Sequence, residues 1–390
     1  HWNDQKYKSE DEIRADYPKI RREYRAAEIP PDIIDRLREL VDRLRGKPLI
    51  VRSSSQLEDN FGTSFAGKYE SYFCPNQGSP DDNLRAITQA IASIYASTLN
   101  PDALLYRRSK GLQDYDERMA ILIQVVEGEP WGRYFLPHVA GVGFSRNLYR
   151  WSPNIRREDG FLRLVWGLGT RAVDQVGNDY PRLVALSHPT LRPEAAPQAI
   201  RRYSQQFVDL IDLEANAFKT LPVTEVLSPQ YKVLRYLAQE YREGFLSPIR
   251  SNLMVSNPEN LVITFDDLLR RTSFPEKMRR LLNLLEENYE SPVDLEFTAR
   301  IQNPHSMNPD VCISILQCRP QSHVQDTTPT FPADLPPEKI LFSTRRMVPR
   351  GQITDIEFVV FVPPEAYFAL LSQAERVSVG RAVGRLNAAL

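Results

Sequence analysis

The charged residues best placed to act together lie in two short segments with apolar flanks, VDLEFTAR (293–300) and ISILQCR (313–319). Side chains on a strand alternate between its faces, so Asp294 and Glu296 share one face of the first segment, and Gln317 and Arg319 one face of the second. If the strands pair with those faces aligned, two carboxylates, an amide and a guanidinium meet at one end of a sheet. That mixture suits Mg²⁺ with a polyphosphate. A hard cation takes oxygen ligands and usually keeps one or two carboxylates, while arginine grips phosphate with two parallel donors. A solvent-facing hairpin with an ordinary cross-strand ion pair carries the same pattern.

A second segment, VRSSSQLEDNFGTSFAGKYES (51–71), sets Arg52 directly behind an apolar run and gathers Gly62, Thr63, Ser64 and Gly67 in one loop. Glycines let backbone N–H groups approach phosphate oxygens, and hydroxyls add donors. The spacing is not that of a Walker A loop, and a plain surface loop also favours small residues. In WGLGTRAVDQVGNDYP (166–181), Gly167, Gly169 and Gly177 either border a ligand or mark turns beside a strand. Gln124 is polar inside the apolar run ILIQVV and needs a partner, either a neighbouring backbone group or the edge of a purine. The histidines (His1, His138, His188, His305, His323) form no triad and no metal pair, and read as structural or solvated.

These residues must be held by elements that the hydrophobic pattern lays out. Residues 11–27 read as a solvated helix, and 31–44 as an amphipathic one opened by Pro30-Pro31-Asp32. Strands are expected at 49–51, 69–73, 119–126, 139–145, 161–166, 261–265, 293–301 and 311–318, with helices at 82–97 and 276–290. Residues 197–245 read as helical stretches interrupted by prolines. A Pro/Thr-rich linker spans 321–337, followed by short strands at 339–343 and 358–361 and a closing helix at 374–389. There is no internal repeat. The expected class is α+β.

Length and composition exclude several functions. The 390 residues correspond to two or three domains, and 42% hydrophobic with 25% charged residues is ordinary globular usage. Lys and Arg total 49 against 50 Asp and Glu, a net charge of −1, so no basic footprint for nucleic acid organises the chain. No run approaches the ~20 apolar residues of a membrane span, and the first residues are no signal peptide. Cys74, Cys312 and Cys318 make neither a disulfide framework nor a zinc site, so a reducing cytoplasm is the expected compartment.

Taken in order, VRSSSQLEDNFGTSFAGKYESYF, AGVGFSRN, WGLGTRAVDQVGNDYP and DLEFTAR…ISILQCRP resemble the nucleotide-binding domain of the pyruvate phosphate dikinase and phosphoenolpyruvate synthase family, across roughly 49–320. The resemblance implies an ATP-grasp fold in which two α+β subdomains hold ATP with Mg²⁺. The corresponding divisions are an N-terminal helical segment (1–48), an N-terminal subdomain with the phosphate loop (49–118) and a C-terminal subdomain (119–320) with a helical insertion (197–290). The linker at 321–337 then leads to a small α/β extension (338–390).

By the same resemblance Arg52 contacts the terminal phosphates and Gly62 to Gly67 cover the triphosphate. Glu296 and Gln317 coordinate the metal, with Asp294 a third candidate ligand or an orienter of its neighbours; Arg319 stands beside them, and Gln124 borders the adenine. The family typically moves the β-phosphate of ATP onto a histidine of a separate swivelling domain, here expected in cis on a longer chain or in trans. Three features depart from the pattern. The family's early Gly-Gly-Lys has no counterpart in 1–48, with Lys68 a partial substitute; Thr170 stands where relatives often carry glutamate; and no Thr-Ser-Gly-Gly…His segment or phosphoenolpyruvate barrel follows. The expected function is therefore an ATP- and Mg²⁺-dependent phosphotransferase module, incomplete as this chain alone. A catalytically silent ATP sensor and an ATP-grasp ligase are the alternatives.

Overall fold

The computed structural model describes residues 2–58, 67–147, 149, 151–152, 154–173, 179–251, 255, 257–306, 308–321, 335–341, 356–370 and 372–389. The chain divides into one compact unit of His1–Gln325 with Thr344–Val348, and a second of Asp326–Ser343 with Pro349–Leu390.

Within the larger unit, β1 (Leu49–Ser54), β2 (Ser71–Cys74) and β3 (Ala120–Val125) form an antiparallel sheet in the order β2-β1-β3. Four α-helices lie N-terminal to or between these strands: α1 (Glu10–Ala26), α2 (Pro31–Arg43), α3 (Pro80–Ser97) and α4 (Pro101–Ser109). α1 opens with a capping box in which Ser9 and Glu12 satisfy each other's backbone N–H groups. It is solvated except for Ile13 and Ile20, which are fully buried. The stripes Leu37/Val41 on α2 and Leu84/Ile87/Ile94 on α3 pack onto Leu49 and Val51 of β1. Because Leu49 and Val51 are pinned inward, the pleat turns Ile50 and Arg52 to the other face.

A second sheet joins β4 (Glu129–Trp131), β5 (Tyr134–Leu136), β9 (Phe207–Asp212) and β10 (Ala217–Pro222) in the order β10-β9-β5-β4. The largest has five strands: β6 (Val139–Phe144), β7 (Phe161–Val165), β8 (Arg182–Ala185), β14 (Val293–Gln302) and β15 (Asp310–Pro320), in the order β15-β14-β6-β7-β8. A small sheet, β12-β11-β13, is built from β11 (Ala238–Arg242), β12 (Phe245–Pro248) and β13 (Leu261–Ile263). The main core lies against the five-stranded sheet, where Leu295 and Phe297 meet Met278 and Leu282 of the helix Phe274–Tyr289. At Gly141 on β6 a side chain is impossible, since a Cβ there would lie 2.2 Å from the Arg163 carbonyl oxygen.

The mixture of helices with antiparallel sheets is α+β, as the pattern implied. Two expectations need correction. Residues 197–245 are not mainly helical, for they contribute β9, β10 and β11. Five of the six residues of β9 are buried, Asp209 and Asp212 among them, so the strand shows no apolar–polar alternation to mark it. Phe358–Phe361 forms no strand either: the segment is exposed and precedes the helices Pro364–Phe368 and Gln373–Ala389. The expected strand at 339–343 does not begin as one: Lys339 ends a short 3-10 helix, Pro337–Lys339, and Ile340 and Leu341 join no strand, while 342–343 and most of the linker lie outside the described residues.

Candidate functional site

β14 and β15 pair with Glu296 opposite Gln317 and Asp294 opposite Arg319. Val293 and Leu295 are fully buried, so Asp294 and Glu296 take the opposite face. That face looks onto a cavity of about 710 Å³, a size suited to a nucleotide. Across it stands β1. The Arg52 guanidinium donates from one terminal nitrogen, Nη2, to Glu296 Oε2 and to Gln317 Oε1, each at 2.7 Å. Three residues separated by 244 and 265 positions in sequence thus meet at one point.

Arg319 donates from Nε to Asp294 Oδ1 at 2.9 Å, and its Nη2 lies 3.8 Å from Glu296 Oε1. Burial disfavours its charge, but the carboxylates of Asp294 and Glu296 outweigh that and hold the guanidinium above the ordinary arginine range. Asp294 is therefore an anchor for Arg319. Ser53 and Glu58 complete this end: the Ser53 hydroxyl donates to Glu58 Oε1 at 3.2 Å and both line the cavity.

A bulge separates this cluster from the rest of the hairpin. Glu296 pairs with Gln317 but Phe297 pairs with Ile315, which leaves Leu316 unopposed. Gln124, the polar residue of β3, donates its amide to the Leu316 carbonyl at 3.3 Å and lines the cavity. Its partner is a backbone group, one of the two that its sequence setting suggested. Val125, Ile315 and Val173 present exposed apolar surface to the same cavity, a setting that can take a purine face. Ile50 and Phe73 pack with Val126, Leu168 and Ile211, joining the β1 sheet to the elements behind it.

Gly67 lines the cavity at positive φ (+74°), whereas Gly62, Thr63 and Ser64 lie outside the described residues. Lys68 is not among the lining residues; its ammonium sits over the Tyr106 ring, 5.3 Å from the centroid. Arg21 of α1 does line the cavity, donates to the Tyr72 hydroxyl at 3.2 Å and lies 3.8 Å from Glu70. Sequence reading passed over Arg21 because helical period marks only the apolar stripe. Ser53 and Glu58 were visible within the quoted motif, two and seven residues from the start of VRSSSQLED.

The Gly167–Thr170 loop borders the cavity through Gly169 and Thr170. Gly167 is a turn glycine, with φ +93° and a Cβ position 2.4 Å from the Val208 side chain. Thr170 donates to Asp209 Oδ2 at 2.6 Å, and Asp209 also accepts from Arg171 Nε and Thr220 Oγ1. Arg171 reaches on to Asp179 at 2.7 Å. His188 and His305 are exposed and His138 is buried, none of them in the cavity. The three cysteines are free.

The donor chemistry fits a magnesium ion. A carboxylate and an amide oxygen already share one cationic nitrogen at 2.7 Å each, so one cation can span both. Among the described residues no group of three or more acidic, histidine or cysteine side chains could hold a metal. Glu296 and Gln317 would hold such an ion only with phosphate and water oxygens completing its shell, the usual habit of Mg²⁺. No helix among the described residues is long and apolar enough to cross a membrane.

A sequence profile of the pyruvate phosphate dikinase AMP/ATP-binding domain matches residues 1–335. Rifampicin phosphotransferase of Streptomyces sviceus is 30% identical over 134 residues, which make up 34% of this chain and 14% of that relative. The matched region is thus a small part of the relative's length.

Proposed function

The chain belongs to the family of pyruvate phosphate dikinase AMP/ATP-binding domains, and we propose that it binds ATP with Mg²⁺ and hands a phosphoryl group toward a histidine on a separate swivelling domain. The fold this requires is an ATP-grasp of two subdomains, 49–118 and 119–320, closing on the nucleotide. The observation that carries the reading is the convergence of Arg52, Glu296 and Gln317 at one end of a nucleotide-sized cavity. A phosphotransferase among its relatives supports it further.

Such a site acts by position and charge, since phosphoryl transfer asks for little covalent help from the protein. Arg52 would grip the terminal phosphates with its planar fork, and Arg319, anchored by Asp294, would hold a fixed positive charge beside them. Gly67 would lend a backbone donor. Glu296 and Gln317 would hold the ion, which supplies screening of charge on the phosphoryl oxygens. Gln124 would keep β3 and the hairpin in register beneath the base. The final acceptor belongs to domains beyond this unit.

The reading is tested by mixing the protein with ATP, Mg²⁺ and a phosphohistidine-type swivelling domain, then separating AMP from ADP. AMP formation is expected, with Glu296→Gln lowering it by at least ~100-fold while the circular dichroism spectrum stays unchanged. ADP instead of AMP would point to ligase or simple kinase chemistry, and tight ATP binding without product to a sensor.

A further inference from the structure

We propose that Arg52 is a displaceable occupant of the metal position, so that the divalent ion enters only together with a triphosphate that draws the guanidinium away. This rests on the nucleotide reading of the cavity. Both contacts of Arg52 use the same nitrogen, Nη2, which is seated between the two oxygens assigned to the ion. Nitrogen and cation compete for one place. An ion arriving alone would meet a positive guanidinium among partly buried groups (side chains 17% and 15% exposed for Arg52 and Glu296), where like charges repel more strongly than in water.

Arg319 cannot play this part. Its Nε is committed to Asp294, and it approaches Glu296 no closer than 3.8 Å. Arg52, by contrast, makes no side-chain hydrogen bond to any other described residue, and its long stem can swing about β1. A triphosphate offers the guanidinium a more highly charged acceptor than one carboxylate. Moving Arg52 onto phosphate frees Glu296 and Gln317 for the ion that the same phosphates bring. Ion and nucleotide are therefore coupled through Arg52 as well as through their direct contact. By linkage the coupling is reciprocal: metal-free nucleotide must compete with Glu296 for Arg52.

Two measurements on the full chain test this. Free Mn²⁺ is followed by electron paramagnetic resonance without nucleotide; Arg52→Gln is expected to bind Mn²⁺ about tenfold more tightly than wild type, and adding Glu296→Gln removes that gain. Should Arg52→Gln fail to fold, ATP binding in the presence of EDTA decides: Glu296→Gln binds metal-free ATP severalfold more tightly than wild type because Arg52 is released. The Arg52→Gln/Glu296→Gln pair, if folded, loses that advantage relative to Arg52→Gln alone. Unchanged or weaker Mn²⁺ binding in folded Arg52→Gln, or no gain in metal-free ATP affinity in Glu296→Gln, overturns the displacement. If wild type binds ATP with Mg²⁺ in either of those cases, the nucleotide reading survives. Wild type that binds no ATP at all removes both.

Discussion

Two constellations in this protein are built from the same chemical parts. One places Arg171 between Asp209 and Asp179; the other places Arg52 and Arg319 against Glu296 and Asp294. They differ in what surrounds them. Arg171, Asp209 and Asp179 are 9%, 7% and 4% exposed, and the lone pairs of Asp209 are taken by Thr170, Arg171 and Thr220. That cluster is closed, and it props the loop carrying Gly169 and Thr170. The second cluster opens on a cavity, where a nitrogen holding two oxygens can exchange for another cation. Carboxylate and guanidinium groups thus serve as a brace where every partner is internal, and as a site where one partner is replaceable.

The contrast can be broken first by stability. Asp209→Ala removes one of the two carboxylates that pair the buried Arg171 and leaves its Nε and the Thr170 and Thr220 hydroxyls without their acceptor, so a loss of about 3–5 kcal/mol is expected from urea unfolding. Glu296→Gln, where water reaches the partners through the cavity, is expected to change stability by about 1 kcal/mol or less in the same experiment. Equal losses would erase the distinction between brace and site.

A second probe uses pH. His138 is 2% exposed, accepts the Ile301 N–H at 3.1 Å through Nδ1, and faces Glu129 at 3.4 Å. Burial, with opposition from Glu129 and help from nearby Lys232 and Arg300, pushes its pKa down to about 4 from 6.5. The unfolded chain therefore binds the extra proton between those values. This contribution to stability is fully present above pH 6.5 and is lost as pH falls toward 4, on the order of 2–3 kcal/mol. His138→Asn keeps an acceptor for Ile301 and is expected to flatten the slope of unfolding free energy between pH 7 and 4.5. An unaltered slope would mean that other groups dominate the acid response.

The smallest expected effect is at the bulge. Gln124→Leu removes one hydrogen bond, to the Leu316 carbonyl, and should lower stability by about 1 kcal/mol. The diagnostic is affinity. ATP binding should weaken along with stability if Gln124 keeps the two sheets in register; a stability loss with unchanged affinity would confine its role to folding.

Much of the site was legible in the letters because strands obey a two-residue period. Asp294, Glu296, Gln317 and Arg319 had to alternate with Val293, Leu295 and Cys318, and the hairpin needed only to close in register. The helices under β1 were equally plain from their apolar stripes. The β9–β10 pair was not legible, because Asp209 and Asp212 interrupt a strand whose partners, Arg171, Thr220 and Arg133, come from elsewhere in the chain. Arg21 was hidden for a related reason: a charged residue on a helix does not announce which neighbour it faces.

By itself, then, the sequence determined the faces: which side chains each β segment turns toward the core and which it leaves free for chemistry, since covalent geometry and hydrophobic burial leave no other arrangement. Only the tertiary structure decided that the free face of β1 meets the free face of β14 and β15, that a bulge offers Leu316 to Gln124, and that Asp209 closes its cluster while Glu296 leaves its own open. Those outcomes depend on contacts between residues far apart in the chain, set by how sheets pack rather than by any local period.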